Sequence, residues 1–260
     1  MDETCRQIRK EILKIAKTTG HGHIPTCFSV IEAIYAVYSV MKHDPKAPKS
    51  ADRDIFILSK GHASLAQYCV LANLGYFKME DVYSFGQLGS DFGCHADRYR
   101  IPGIEASTGS LGHGLGIGVG IALGFKIRKS PRRVFVLVGD GESNEGSIWE
   151  SLLVAANLNL NNLSVIYDNN MSHERGLQIR NPAEKLKAFG CEVSEVSGHD
   201  LAELKKELAR AGELPRGIVA NTKKGYPSPT MMQNQYEWHR RSPTDAEFET
   251  LMRELDEKTI

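Results

Sequence analysis

No apolar stretch in this 260-residue chain approaches the ~20 residues that a bilayer-spanning helix needs. The N-terminus is polar and charged and has no apolar signal-peptide core. Net charge is also lacking: 32 Lys and Arg balance 32 Asp and Glu, so no overall field draws the protein to nucleic acid or to a membrane surface. The cluster Lys126, Arg128, Lys129, Arg132 and Arg133 precedes an apolar run and reads as a solvated helix end and turn. The five cysteines (Cys5, Cys27, Cys69, Cys94 and Cys191) are scattered and odd in number, with no CxxC pair. That excludes a zinc or disulfide framework and predicts reduced thiols in a cytoplasmic protein. Repeats and low-complexity linkers are missing as well.

What is present is an ordinary globular composition with 41% hydrophobic residues, enough for one large domain over 1–260. Helix and strand signals alternate, which predicts an α/β fold with an open, mainly parallel sheet covered by helices on both faces. Ile8, Ile12 and Ile15 share one face of an opening helix. Ser29-Val30-Ile31-Glu32 reads as a capping box for the next, with Val30, Ile34, Val37 and Met41 buried. Strands are expected at Ile55–Leu58, Val134–Val138, Leu163–Tyr167, Cys191–Val196 and Ile218–Asn221, and helices near Ile148–Leu158, after Asp200 and after Thr244. Met171–Arg180 and Lys223–Pro243 follow strand ends and read as loops, where function usually resides.

Two of the strands end in oxygen-rich turns. Gly139-Asp140-Gly141 follows one apolar run, and Asn169-Asn170 follows another after 27 intervening residues. An open parallel sheet places its ligands at these carboxyl ends. A carboxylate, an amide oxygen and a nearby backbone carbonyl suit a hard cation such as Mg²⁺ that grips substrate phosphates. The alternative is that Asp140 caps a helix and the Asn pair forms a turn.

This pair of motifs resembles the signature of thiamine-diphosphate enzymes, and further segments resemble the transketolases in particular. These are Gly22-His23-Ile24, Ser59-Lys60-Gly61-His62, His95-Ala96-Asp97, and the stretch from Pro102 through Thr108-Gly109-Ser110-Leu111-Gly112. The resemblance implies a diphosphate-binding domain that carries thiamine diphosphate with Mg²⁺, for which Ca²⁺ or Mn²⁺ can substitute. It implies Asp140, Asn170 and the main-chain carbonyl of Ser172 as metal ligands. It implies His62, Gly109, Leu111, Gly112, Gly141, Glu145, Asn170 and His239 as cofactor contacts, Glu145 being where the family couples two cofactor sites. His23, His95 and His239 are the implied proton-handling groups. His21 competes with His23 for the first of these places, since His21-Gly22-His23 offers two registers.

The chain departs from the family at Pro25, where glycine is usual, at His113, where glutamine is usual, and at Arg240, where glycine follows the histidine. His43, His173 and His199 take no role from the resemblance, and His199 reads as part of a strand-to-helix turn. Arg98, Arg100, Arg175, Arg180, Arg240 and Arg241 could meet an anionic substrate but are more commonly surface charges.

Complete transketolases also carry pyrimidine-binding and C-terminal domains. The length therefore implies an N-terminal subunit of a split enzyme, with a partner chain supplying those domains in an α₂β₂ assembly. The expected activity is transfer of a two-carbon ketol unit from a ketose to an aldose, small sugars being the substrates. The alternatives are a subunit resembling 1-deoxyxylulose-5-phosphate synthase or a 2-oxo acid dehydrogenase, a non-catalytic homologue, and a split enzyme for an unusual sugar.

Overall fold

The computed structural model describes residues 1–257. Its centre is a five-stranded parallel sheet built from β1 (Ile55–Leu58), β2 (Val134–Gly139), β3 (Leu163–Asn169), β4 (Glu192–Ser197) and β5 (Arg216–Asn221), in the order β1-β2-β3-β5-β4. Successive side chains of a strand point to opposite faces. Phe56, Leu58, Phe135, Leu137, Ile166 and Ile218 face one core, while Ile55, Ile57, Val134, Val136, Val165 and Val219 face the other. Both faces are buried, which is why the inner strands read as continuous apolar runs. The edge strand β4 buries only Val196 fully and carries Glu192 and Glu195, a pattern that discourages pairing with another chain.

On the first face lie α1 (Glu3–Thr19), α2 (Ile24–Val40), α3 (Ser64–Asn73), the short α4 (Met79–Val82) and α8 (Leu201–Ala209). The second face is covered by α5 (His113–Ile127), α6 (Gly146–Asn157) and α7 (Pro182–Ala188). The short α9 (Pro229–Gln233) and the closing α10 (Asp245–Asp256) pack on the first core through Met231, Leu251 and Leu255. Side-chain caps set several starts: Asp2 accepts from the Cys5 N–H, and Asp200 accepts from the N–H groups of Ala202 and Glu203. Thr244 and Glu247 form a capping box. Gly118 lets α5 settle on the sheet, since a Cβ there would lie 2.4 Å from Val136 Cγ2. Among the described residues, no helix is long and apolar enough to cross a membrane.

The expected strands all form, and Ile8, Ile12, Ile15, Val30, Ile34, Val37 and Met41 are buried as read. The capping box at Ser29–Glu32 does not exist. The helix starts earlier, at Ile24, with Pro25 in its first turn, where proline's missing N–H leaves no bond unmade. Ser29 and Glu32 are instead turned to partners far away in sequence. The stretch 223–243 is also less loop-like than expected, because α9 and a 3₁₀ turn at Glu237–Arg240 lie within it.

Glu32 is buried and receives both ends of the Arg9 guanidinium, at 2.7 and 2.8 Å. Burial works against its ionisation, but Arg9 prevails and holds the carboxyl at about 2. Arg9 also donates to the carbonyls of Phe28 and Tyr226, at 2.8 and 3.0 Å, tying α1 and α2 to the segment after β5. Arg9→Ala strands a buried carboxylate, and a loss of about 3–5 kcal/mol is expected in urea unfolding. A loss below about 1 kcal/mol, the level of an exposed pair, would contradict this account.

Candidate active site

The carboxyl ends of β1, β2, β3 and β5 and the start of α2 surround one cavity of about 560 Å³. That size suits a cofactor or small-molecule ligand. β1 delivers Lys60 and His62, β2 delivers Asp140 and Gly141, and β3 delivers Asn170 and Ser172. Lys224 follows β5, His23 precedes α2, and His239 and Tyr236 arrive from the segment after α9. Gly109 and Leu111 close one side.

Three imidazoles form a cluster in this cavity. His23 lies 5.3 Å from His62 and 5.4 Å from His239 between ring centroids, and His62 lies 6.4 Å from His239. Burial, then the neighbouring His239, lowers His23 to about 4. Burial, then Lys60, lowers His62 to about 2. His239 is lowered by burial and by Lys224, whose ammonium lies 3.0 Å from its Nδ1. The first two rings are therefore neutral at pH 7 and able to hydrogen-bond a hydroxyl. Lys224 is itself lowered to about 8, by burial and then by Lys60. Lys60 and Lys224 bring positive charge to the cavity, where Asp168 pairs with Lys60, and Asp140 and Glu142 also line the wall.

At the junction of β2 and β3, Asp140 Oδ2 and Asn170 Oδ1 both accept from the Ser172 N–H, at 2.8 and 3.0 Å. Two hard oxygen donors thus lie side by side around one N–H, the donor chemistry that Mg²⁺ or Ca²⁺ selects. Asp140 also accepts from Gly141 N at 2.7 Å, from the Ser172 hydroxyl, and from His173 Nδ1 at 2.6 Å. Ser172 thus meets Asp140 through its N–H and its hydroxyl. Among the described residues no group of three or more His, Cys, Asp or Glu side chains could hold a metal, so a cation here would need the amide and further oxygens from outside the side-chain set.

Of the residues singled out in the sequence, His23, His62, Gly109, Leu111, Asp140, Gly141, Asn170, Ser172 and His239 all line the cavity. His21 does not; it is exposed, with its ring against Gly86. His95 is also outside the lining; it is exposed beside the turn, where a Cβ on Gly109 would come 2.9 Å from its ring. Gly112 is buried one step back in a left-handed conformation (φ +82°) and donates its N–H to Glu142 at 3.0 Å. Glu145 is exposed at the start of α6 beside Gly112, outside the cavity lining, and makes no side-chain cap. His113 is exposed at the start of α5, and the Pro25 carbonyl accepts from Gly225 N at 3.1 Å. None of the six arginines considered lines the cavity; Arg241, for one, is bound to Glu247 and stacked on Trp238.

Lys60, Lys224, Glu142, Thr26 and Tyr236 belong to the lining without having been singled out. Lys60 stands inside the quoted Ser59–His62 segment, yet a lysine alone reads as a surface charge. Glu142 is buried, with its carboxyl raised by that burial; it accepts from the Ser59 hydroxyl at 2.5 Å and from Gly139 N at 3.0 Å. Its position just after Gly139-Asp140-Gly141 was the only signal that could have found it.

Residues 2–256 match the family model described as transketolase, thiamine diphosphate binding domain. The chain belongs to the transketolase family. It is 34% identical to one subunit of the apulose-4-phosphate transketolase of Actinobacillus succinogenes, over 99% of this chain and 96% of that one. It is 36% identical to a 6-deoxy-6-sulfo-D-fructose transketolase subunit of a Clostridium species, over 84% of this chain and 82% of that one. Among solved structures, a Pichia stipitis transketolase variant superposes with a TM-score of 0.88 at 27% identity, over 97% of this chain and 40% of that one. The Campylobacter jejuni transketolase does so with a TM-score of 0.88 at 25% identity, over 98% of this chain and 42% of that one. The chain thus spans about 40% of these solved transketolases, and its parallel sheet and helices are those of the transketolase thiamine-diphosphate-binding domain.

The histidine environments have a consequence for stability. Unfolded imidazoles take up protons near 6.5, whereas His23 and His62 resist protonation down to about 4 and about 2. A lowered folded value means stability that is complete above pH 6.5 and lost as the pH falls toward those values. The urea midpoint of the wild type should therefore fall between pH 7 and pH 5 more steeply than that of His62→Gln. Equal slopes would show that His62 does not carry this linkage.

Proposed function

We propose that this chain is the diphosphate-binding subunit of a split transketolase. Its partner would carry the pyrimidine-binding and C-terminal domains, in an α₂β₂ assembly. On this reading residues 1–260 form a single diphosphate-binding domain, and the enzyme moves a two-carbon ketol unit from a ketose to an aldose. The observation that carries the reading is the convergence of Asp140, Asn170, Lys60, Lys224 and three histidines on one cavity at the carboxyl edge of a parallel sheet. The two relatives named as subunits, one for a sugar phosphate and one for a sulfonated sugar, favour an anionic small sugar over a 2-oxo acid. The two lysines are consistent with anionic groups in the cavity. Retention of both Asp140 and Asn170 argues against a non-catalytic homologue.

Thiamine diphosphate, when bound, supplies a nucleophilic ring carbon and an electron sink for carbon–carbon bond cleavage and formation. This chain's own groups do the rest. Asp140, Asn170 and Ser172 would hold Mg²⁺, or Ca²⁺ or Mn²⁺ in its place, against the diphosphate. His62 and the N–H groups around Gly141 would hydrogen-bond that diphosphate and Lys60 and Lys224 would offset its charge, with Gly109, Leu111 and Gly112 shaping the turn over it. His23 and His239, kept neutral by burial, would move protons on and off sugar oxygens, with His95 at the rim for a hydroxyl of the donor. Glu145, exposed at the start of α6, would face the partner and couple two cofactor sites.

A partner surface is available on the second face: Ile117 and Ile127 on α5, Leu153 and Val154 on α6 and Leu158 just after it are exposed apolar residues on adjoining helices. Five free cysteines, four of them buried, are consistent with a cytoplasmic protein.

The test is to combine the chain with its partner, thiamine diphosphate and Mg²⁺, and to follow aldose release from phosphorylated and sulfonated ketoses. Cofactor-dependent cleavage that is lost in Asp140→Ala is expected; no cleavage of any ketose would contradict the reading. Lys224→Met should raise the thiamine diphosphate concentration for half-activity about tenfold or more, equivalent to about 1.4 kcal/mol. An unchanged requirement would remove Lys224 from the diphosphate site.

A further inference from the structure

Beneath the cavity floor lies a carboxylate that no proton-handling or cofactor role uses. Asp168 sits on β3 two residues before Asn170 and is 1% exposed. It accepts hydrogen bonds from four side chains on four separate segments. Ser29 of α2 donates its hydroxyl at 2.9 Å, and Asn170 donates its amide at 2.7 Å. Lys60, just after β1, donates its ammonium, and Thr222, just after β5, donates its hydroxyl. Removing a carboxylate from water is tolerable only with such full pairing.

The bond from Asn170 is the informative one. A carboxamide has an oxygen face and an NH₂ face, and only the first can bind a cation. An ionised carboxylate is a pure acceptor, so beside Asp168 the Asn170 amide must present its NH₂. Ser29 Oγ, at 3.0 Å from the same Asn170 nitrogen, supports this orientation. The oxygen is thereby turned to the other side, where Asp140 Oδ2 shares the Ser172 N–H with it. Outer groups that orient metal ligands commonly account for 10–100-fold in metal affinity.

We propose that Asp168 is a positioning residue that fixes the Asn170 amide with its oxygen toward Asp140, and so creates the divalent-cation site of this chain. The proposal rests on the cofactor reading given above. Asp168 touches neither cofactor nor substrate; it acts through Asn170, and through Lys60 and Thr222 it sets the same level for the ends of β1 and β5. The replacement Asp168→Asn offers an NH₂ as well as an oxygen, so the Asn170 amide loses its reason to face one way.

The experiment is a titration of Mn²⁺, followed by electron paramagnetic resonance, into the assembled enzyme with thiamine diphosphate present. Asp168→Asn should weaken Mn²⁺ binding about 10- to 100-fold. The exchanged variant Asp168→Asn/Asn170→Asp should recover most of that loss, because a carboxylate at position 170 offers oxygen in either orientation. Thr222→Val keeps every charge and removes one donor to Asp168; it should weaken Mn²⁺ by a smaller factor and carries the test if Asp168→Asn does not fold. A purely structural role for Asp168 would leave the exchanged variant as weak as the single one, and that result would overturn the proposal. Wild-type affinity in Asp168→Asn or in Thr222→Val would overturn it as well. If the wild-type assembly itself binds no Mn²⁺ in a thiamine-diphosphate-dependent way, the cofactor reading fails, and the proposal falls with it.

Discussion

Every buried charge at the carboxyl edge of the sheet has to be matched by a neighbour from another segment, and this requirement holds the site together. Asp168 gathers Lys60, Ser29, Asn170 and Thr222. Asp140 takes N–H and O–H groups from Gly141, Ser172 and His173. Glu142 ties Ser59 after β1, Gly112 before α5 and Gly139 at the end of β2. In the low-dielectric interior an unpaired member of such a set is costly, so each pairing fixes a segment as well as a charge. The loops around the cavity are held by the sheet that they cover.

The same economy of water shapes the chemistry. Burial keeps His23 and His62 neutral and pulls Lys224 down to about 8 without discharging it at pH 7. Neutral imidazoles stand beside two ammonium groups, one of which, Lys60, is claimed by Asp168. Further out, the Arg9–Glu32 pair fastens the segment that carries Lys224, because Arg9 reaches the Tyr226 carbonyl across 217 positions of sequence. His199 adds to that anchor by stacking on Tyr226 and accepting from the Lys223 N–H at 2.9 Å.

The legible part of the fold was the part whose signals are local. Strands buried on both faces read directly as apolar runs, and Asp200 and Thr244 cap helices through neighbours two or three residues away. The short motifs at Asp140, Asn170, His62 and Gly109 named much of the cavity lining for the same reason. What was misread or missed depends on partners distant in sequence. Ser29 and Glu32 have the spacing of a capping box, but Asp168 and Arg9 claim their side chains. Lys60 and Lys224 look like surface charges until the sheet brings them to one cavity. His21-Gly22-His23 offers two registers, of which His23 is the better match, and the start of α2 turns His23 inward.

The central claim is that the cofactor site is shared between this chain and a partner. Calorimetric titration of thiamine diphosphate with Mg²⁺, with and without the partner chain, tests it most directly. The account predicts tight binding only with the partner present, lost in Asp140→Ala. Absence of binding even in the assembled pair, or equally tight binding to this chain alone, would contradict it.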